Sequence, residues 1–331
     1  MKQRRIAVTL GDPSGIGPEI ALKAYGDPRI HKHMSLVLFG DKRALDEHAR
    51  LCGLTQDYHT LGSASEVQDW KGGLAFIHVP CLDGSFRIGE VCALSGAAAI
   101  AALDAAVDAA QAGFVDAVVG SPIHEVAIKK AGIAFDGHPS YLARRTGTPV
   151  DDVSLMLCWG RTRVAHVTLH MSVREALDAI TSARVENVIR MTSQVLRRLG
   201  LAQPRIGVSG VNPHAGESGL FGREEIEIIG PTLNKLRAEG FDLLGPMGAD
   251  TLLPRNDCDA FVVMLHDQGH VAARVAAPNM AAAMSIGTPV MFSSVGHGTA
   301  MDIAGRGVAN PEALIQALLH ASNSFSEGEN E

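Results

Sequence analysis

The stretch Ile6-Ala-Val-Thr-Leu-Gly-Asp-Pro-Ser-Gly-Ile-Gly-Pro-Glu-Ile20 decides the architecture. Its first five residues read as a buried strand, glycines and a proline end it, and Pro18 opens a helix. Strand, tight turn and helix in that order begin a βαβ unit, whose turn amides can face an anionic group at the helix N-terminus. Gly11, Gly15 and Gly17 are spaced wrongly for the dinucleotide fingerprint, and no Lys-Ser/Thr completes a phosphate loop. A tight structural turn is an equal reading.

The same punctuation recurs along the chain. Leu36 to Gly40 reads as a strand followed by a helix from Lys42. Ser95 to Ala112 opens with a capping serine and places Ile100, Leu103 and Val107 on one buried stripe. Strands are predicted at Ala117 to Gly120, Val164 to Leu169, Arg205 to Ser209 and Phe261 to Leu265. Val173 to Leu199 reads as one long helix or two consecutive ones, and Arg223 to Glu239 as a helix kinked at Pro231. The alternation predicts an α/β fold, with a mainly parallel twisted sheet, helices on both faces and a site at the carboxyl ends of the strands.

A length of 331 residues suits one large α/β unit or two lobes. The 29 Lys+Arg against 36 Asp+Glu leave a formal charge of −7, which argues against nucleic acid as a partner. Five cysteines, an odd number with no Cys-x-x-Cys pair, argue against a disulfide framework or a cysteine zinc site and fit a reducing cytoplasm. The apolar run at the N-terminus is too short for an export signal, and Asp104 and Asp108 interrupt the stretch from Val91 to Ala112, so no membrane anchor is expected. The segment from Ser322 to Glu331 is poor in apolar residues and reads as a loose tail.

Three histidines follow or lie near predicted strand ends: His170, His214 and His266. Neutral imidazoles suit zinc, manganese, cobalt or nickel, and three such ligands leave positions open for substrate oxygens. Their separations of 44 and 52 residues match no local metal motif, so hydrogen-bonding loop histidines are the alternative. His270 stands four residues after His266, but without a Glu beside the first His the pair is not the metalloprotease arrangement, and His270 reads as a surface or core residue. A second glycine-rich segment, residues 294–311, offers His297 and Asp302 as contacts for an adenosine moiety; its other reading is a loop before a helix.

Six ordered motifs together resemble one family. They are Gly-Asp-Pro-Ser-Gly-Ile-Gly-Pro-Glu-Ile (11–20), Gly-Ser-Pro-Ile-His (120–124), Asn-Pro-His-Ala-Gly-Glu (212–217), Gly-Pro-Met-Gly-Ala-Asp-Thr (245–251), His-Asp-Gln-Gly (266–269) and His-Gly-Thr-Ala (297–300). The chain resembles the 4-hydroxythreonine-4-phosphate dehydrogenases over nearly its whole length. The resemblance implies a two-lobed α/β/α fold like that of isocitrate and isopropylmalate dehydrogenases. Residues 1–135 plus 275–331 would form the cofactor side, and 136–274 the metal- and dimer-forming lobe. It further implies a divalent metal, zinc the preferred ion, on His170, His214 and His266 at a homodimer interface with ligands from both subunits. NAD or NADP would bind through His297, Gly298, Thr299, Ala300 and Asp302. Arg306 reads equally as a contact for a 2′-phosphate or as a partner for a nearby carboxylate. A cytoplasmic enzyme acting on a small molecule is expected.

Substrate residues depart from the family pattern. Where the phosphorylated-threonine enzymes carry Lys, Asn and Arg, this chain has Arg274, Ala283 and Phe292, and their His-Thr pair is His138-Pro139. Exchanging a guanidinium for a phenyl ring removes the fork that grips a phosphate. An apolar wall at Phe292 and Ala283, with His138 and with Arg274 left to hold a carboxylate, resembles instead the terephthalate cis-dihydrodiol dehydrogenase branch. That branch oxidises a dihydroxycyclohexadiene dicarboxylate to protocatechuate with release of carbon dioxide. Asp250 and Asp267 are candidates for orienting ligands or relaying the alcohol proton, with structural capping as the alternative. Within the family the alternatives are the phosphothreonine enzyme of vitamin B6 synthesis and threonate- or erythronate-phosphate relatives. Outside it stand a phosphoacyltransferase or a metal-bound sensor without catalysis.

Overall fold

The computed structural model describes residues 3–55, 57–278 and 280–322, so the expected loose tail lies, apart from Ser322, outside the described residues. Contacts divide the chain into two compact units, Met1–Tyr141 with Pro289–Glu331, and Leu142–Thr288. These boundaries lie somewhat C-terminal to the 135/136 and 274/275 divisions implied by the resemblance. His138 and Tyr141 pack their rings on Phe135 in the first unit, and the strand at Ala282–Ile286 is hydrogen-bonded within the second.

The first unit begins with β1 (Arg4–Thr9), α1 (Gly17–Tyr25), α2 (Pro28–His31), β2 (Met34–Gly40) and α3 (Lys42–Cys52). It continues through β3 (His59–Leu61), β4 (Leu74–His78), α4 (Ala93–Gln111), β5 (Ala117–Gly120), α5 (Glu125–Lys130) and the start of α6 (His138–Thr146). The second unit holds β6 (Ser154–Trp159), β7 (Thr162–His166), α7 (Val173–Ala179), α8 (Ser182–Arg198), β8 (Arg205–Ser209) and α9 (Gly230–Ala238). It closes with β9 (Asp242–Met247), α10 (Ala249–Leu252), β10 (Ala260–Val263), α11 (His266–Ala276) and β11 (Ala282–Ile286). The chain then returns to the first unit as β12 (Phe292–Val295) and α12 (Glu312–Ser322).

Strands of the first unit lie in the order β3-β4-β2-β1-β5-β12, and every neighbouring pair is parallel. Their apolar runs are buried throughout β1's last four residues and all of β2 and β5, as a sheet covered on both faces requires. In the second unit the order is β11-β6-β7-β10-β8-β9, with β6 antiparallel to both neighbours and the rest parallel. The fold is therefore mixed α/β. α4 is long and apolar enough to cross a membrane, yet more than half of that stretch is buried against the protein, as in a core helix.

Several local expectations are corrected. The cap of α4 is Cys92 rather than Ser95, whose hydroxyl instead meets the Ser14 hydroxyl at 2.6 Å inside the fold. The strand expected to run to Leu169 ends at His166, releasing a loop that carries His170. Of the two readings of residues 173–199, two consecutive helices is the one that forms, because Thr181 caps a new helix by accepting the Arg184 amide. Ahead of Pro231 the helix widens into a π turn over Glu225–Ile229, so the missing proline amide falls at the start of α9 rather than inside a helix.

Candidate active site

The second unit gathers histidines at the carboxyl ends of β7 and β10. His170 and His266 face one another with ring centroids 5.6 Å apart, and His270 stacks on His266 at 3.6 Å with planes 10° apart. Beneath them His166, fully buried, lies 4.8 Å from His270. Burial, reinforced by the neighbouring His266, pushes the His270 pKa down to about 4 and favours its neutral form. His170, His266, His270, Val271, Arg274 and Val275 line a cleft of about 530 Å³. Two metal candidates and the carboxylate-binding candidate Arg274 thus share one cleft, joined by His270.

The His-Asp-Gln-Gly run builds this arrangement residue by residue. Asp267 places a carboxylate oxygen 2.7 Å from Nδ1 of His266, which holds the ring's orientation. Gln268 accepts the Met264 and Leu265 amides at 2.9 Å and donates to the Gly210 carbonyl at 3.0 Å, pinning the start of α11 to the end of β8. A side chain at Gly269 would lie 2.2 Å from Nε2 of His166, so only glycine lets the helix cross that ring.

His214 sits in a separate setting of the same unit. Residues 214–218 all have positive φ, four of them non-glycine, a left-handed turn that costs on the order of 1 kcal/mol or more per non-glycine residue. Glu225 supports it, accepting the Val211 and Asn212 amides at 2.8 Å and the Asn212 side chain at 2.9 Å. The His214 imidazole is exposed and packs on Phe221 at 6.2 Å. A Cβ on Gly248 would approach both the His214 Cα and an Asp250 carboxylate oxygen, which places exposed Asp250 beside this turn rather than beside His266.

In the first unit the two glycine-rich segments, distant in sequence, meet. The Ile16 amide donates to the Thr299 carbonyl at 3.0 Å, and a Cβ on Gly15 would lie 2.7 Å from Thr299. Thr299 is buried, Gly298 faces open space, Ala300 has a φ of 42°, and His297 turns Nδ1 onto the adjacent Gly298 carbonyl at 3.0 Å. Asp302 and Arg306 are exposed. Asp12 was not singled out from sequence, although Gly-Asp-Pro marks the turn. It is fully buried, one oxygen accepts the Ser14 amide at 2.9 Å, the other has no hydrogen-bond partner, and burial pushes its pKa up to about 6.

His138 opens α6 and rests on Phe292, ring centroids 4.9 Å apart, with Phe135 against its edge at 5.4 Å. This aromatic surround desolvates the imidazole and pushes its pKa down to about 4. Phe292 has no exposed surface, so its ring backs His138 and does not itself present a wall to solvent. Ala283 lies in β11 of the second unit.

The donor chemistry fits a divalent ion: two imidazoles facing each other, one oriented by a carboxylate, in an open cleft. In the first unit Gly15 lets the Thr299 backbone approach, Gly11 does the same for residues 121–122, and Gly298 faces open space, so the loop backbone there is reachable by a ligand.

Comparison with known proteins agrees with this chemistry. The family model described as pyridoxal phosphate biosynthetic protein PdxA matches residues 32–321. The 1,2-dihydroxy-3,5-cyclohexadiene-1,4-dicarboxylate dehydrogenase of Comamonas sp. is 42% identical over 320 residues, 95% of this chain and 96% of that one. A crystal structure of a terephthalate 1,2-cis-dihydrodiol dehydrogenase from Burkholderia xenovorans LB400 is 41% identical, with a TM-score of 0.75, covering 97% of this chain and 99% of that one. That of a 4-hydroxythreonine-4-phosphate dehydrogenase from Burkholderia phymatum is 34% identical, with a TM-score of 0.88, covering 98% and 99%. The molecule is a dehydrogenase built on an α/β fold. It belongs to the PdxA family.

Proposed function

We propose that the protein oxidises terephthalate 1,2-cis-dihydrodiol to protocatechuate, using NAD or NADP and a divalent metal, zinc the preferred ion. One observation carries the choice of substrate. Phe292 stands where the phosphothreonine branch has arginine, and it is buried under His138, leaving no guanidinium at that position to grip a phosphate.

When bound, the two groups supply a hydride acceptor and a positive charge at the vicinal oxygens; loss of carbon dioxide from the resulting β-keto acid then restores aromaticity. The chain's own residues supply position. His170 and His266 hold the ion, Asp267 fixes the His266 ring, and Arg274 pairs with a substrate carboxylate. His214, with Asp250 near its turn, completes the ligand set in a homodimer whose subunits each contribute ligands. Asp250 or Asp267 relays the alcohol proton. His297, Gly298, Thr299, Ala300 and Asp302 position the nicotinamide cofactor. In this reading the first unit is the cofactor side and the second the metal- and dimer-forming side, an arrangement of the isocitrate and isopropylmalate dehydrogenase kind, working in the cytoplasm.

Steady-state nicotinamide reduction with the cis-dihydrodiol and with 4-phosphohydroxythreonine tests the assignment. Turnover on the diol is expected. Turnover confined to the phosphorylated hydroxy acid, or to threonate or erythronate phosphates, would move the protein to the other branch, and no cofactor reduction with any of them would favour the sensor or acyl-transfer reading.

A further inference from the structure

We propose that Glu19, His48 and Cys52 form a second cation site, for a thiophilic divalent ion such as zinc, independent of the histidines of the second unit. Glu19 projects from α1, while His48 and Cys52 stand four residues apart on one face of α3. One ligand atom from each lies within 4.8 Å of the other two, the only such group of three among the described residues. Glu19 and His48 are fully buried and Cys52 is partly exposed, which leaves a side for ion entry.

The decisive detail is the histidine. Its Nε2 lies 3.0 Å from the Pro13 carbonyl, an acceptor, so this nitrogen carries the proton. Nδ1 is then a lone pair, buried and with no hydrogen-bond partner. An imidazole whose N–H is anchored on a carbonyl while its other nitrogen is bare is the arrangement that metal-ligating histidines adopt. A buried unsatisfied nitrogen is costly in a finished core, and an ion at Nδ1 would satisfy it. Burial also keeps His48 below the ordinary imidazole pKa, in the neutral form that ligates.

The carboxylate is divided between two tasks. One oxygen takes Lys23 at 2.7 Å and the Ala309 amide at 2.8 Å; the other accepts only the Cys52 thiol at 3.4 Å. That thiol proton is the one displaced: it leaves to solvent as the ion takes the thiolate and the freed oxygen. A tetrahedral ion needs its ligands roughly 3.5 Å apart, so modest side-chain rotation closes the group. Thiolate and imidazole donors, with Lys23 occupying the second carboxylate oxygen, select against magnesium and calcium. Lys23 also donates to the Gly307 and Ala309 carbonyls at 2.9 and 2.8 Å, so the site lies under the segment that follows the cofactor-loop residues.

Cobalt(II) titration of the chelator-stripped full-length protein tests this site apart from turnover. A cobalt–thiolate charge-transfer band requires a cysteine ligand, which the histidine site lacks. The band is expected in the parent, with up to about two ions bound per chain, and in His214→Ala, which lacks the histidine site, saturating at about one ion per chain. It should be absent in Cys52→Ser, and His48→Gln should weaken apparent affinity about tenfold or more. Failure of the parent to give the band, or a band that survives Cys52→Ser unchanged, overturns the site, whatever the substrate proves to be.

Discussion

The His138 imidazole lies on the Phe292 ring, planes tilted by 32° and centroids 4.9 Å apart, and the phenyl ring is itself fully buried. The phenyl ring therefore acts through the histidine. Phe292→Leu should cost about 1 kcal/mol in urea unfolding and shift His138 toward its ordinary pKa, read by NMR titration. Phe292→Arg places a charge in a fully buried position and should destabilise by about 3 kcal/mol or more. An Arg variant as stable as the parent would refute the packing role of the phenyl ring.

Asp267 is expected to act on the ion through His266. Asp267→Asn should lower metal affinity about 10- to 100-fold in a competition titration while leaving thermal stability near that of the parent. Unchanged affinity would reduce the carboxylate to an ornament of the helix start.

Gly15 is forced by Thr299, which a Cβ would meet at 2.7 Å against both side chain and backbone. Gly15→Ala should displace the 298–300 backbone and raise KM for the nicotinamide severalfold, with metal content unaltered. Equal loss of metal would show that the two glycine-rich segments do more than seat a cofactor.

Asp12 gives a pH signature. Its pKa rises from 3.8 to about 6 in the fold, so between those values the folded protein keeps a proton that the unfolded chain has lost, and stability falls as pH rises. The contribution is fully present below pH 3.8 and gone above about 6, amounting to about 3 kcal/mol. Asp12→Asn cannot ionise. Denaturant unfolding should show it gaining on the parent as pH rises from 4 to 7, whereas a pH-independent difference would contradict the burial argument.

The strands at 117–120 and 205–209 were legible to the residue, because runs of buried, mostly apolar residues bounded by breakers have few other readings. Residue type and motif join His170, His214 and His266 as one trio; within this chain His170 and His266 share one cleft, while His214 lies in a separate turn. His270 was not legible, because helical spacing cannot say whether a ring points at solvent or stacks on its neighbour. The unpartnered oxygen of Asp12 and the bare nitrogen of His48 arise from packing between segments far apart in sequence, which no local pattern encodes. The π turn before Pro231 likewise shows a proline accommodated by a wider turn where sequence reading expects a kink.

The proposed oxidation requires a cation held by imidazoles. Metal content and diol-dependent nicotinamide reduction should be measured together after chelation and zinc add-back, in a Cys52→Ser background so that only the histidine site is counted. The expected result is about one ion per chain restoring turnover, with both lost in His214→Ala. Full turnover in the stripped protein, or in His214→Ala without bound metal, would contradict it.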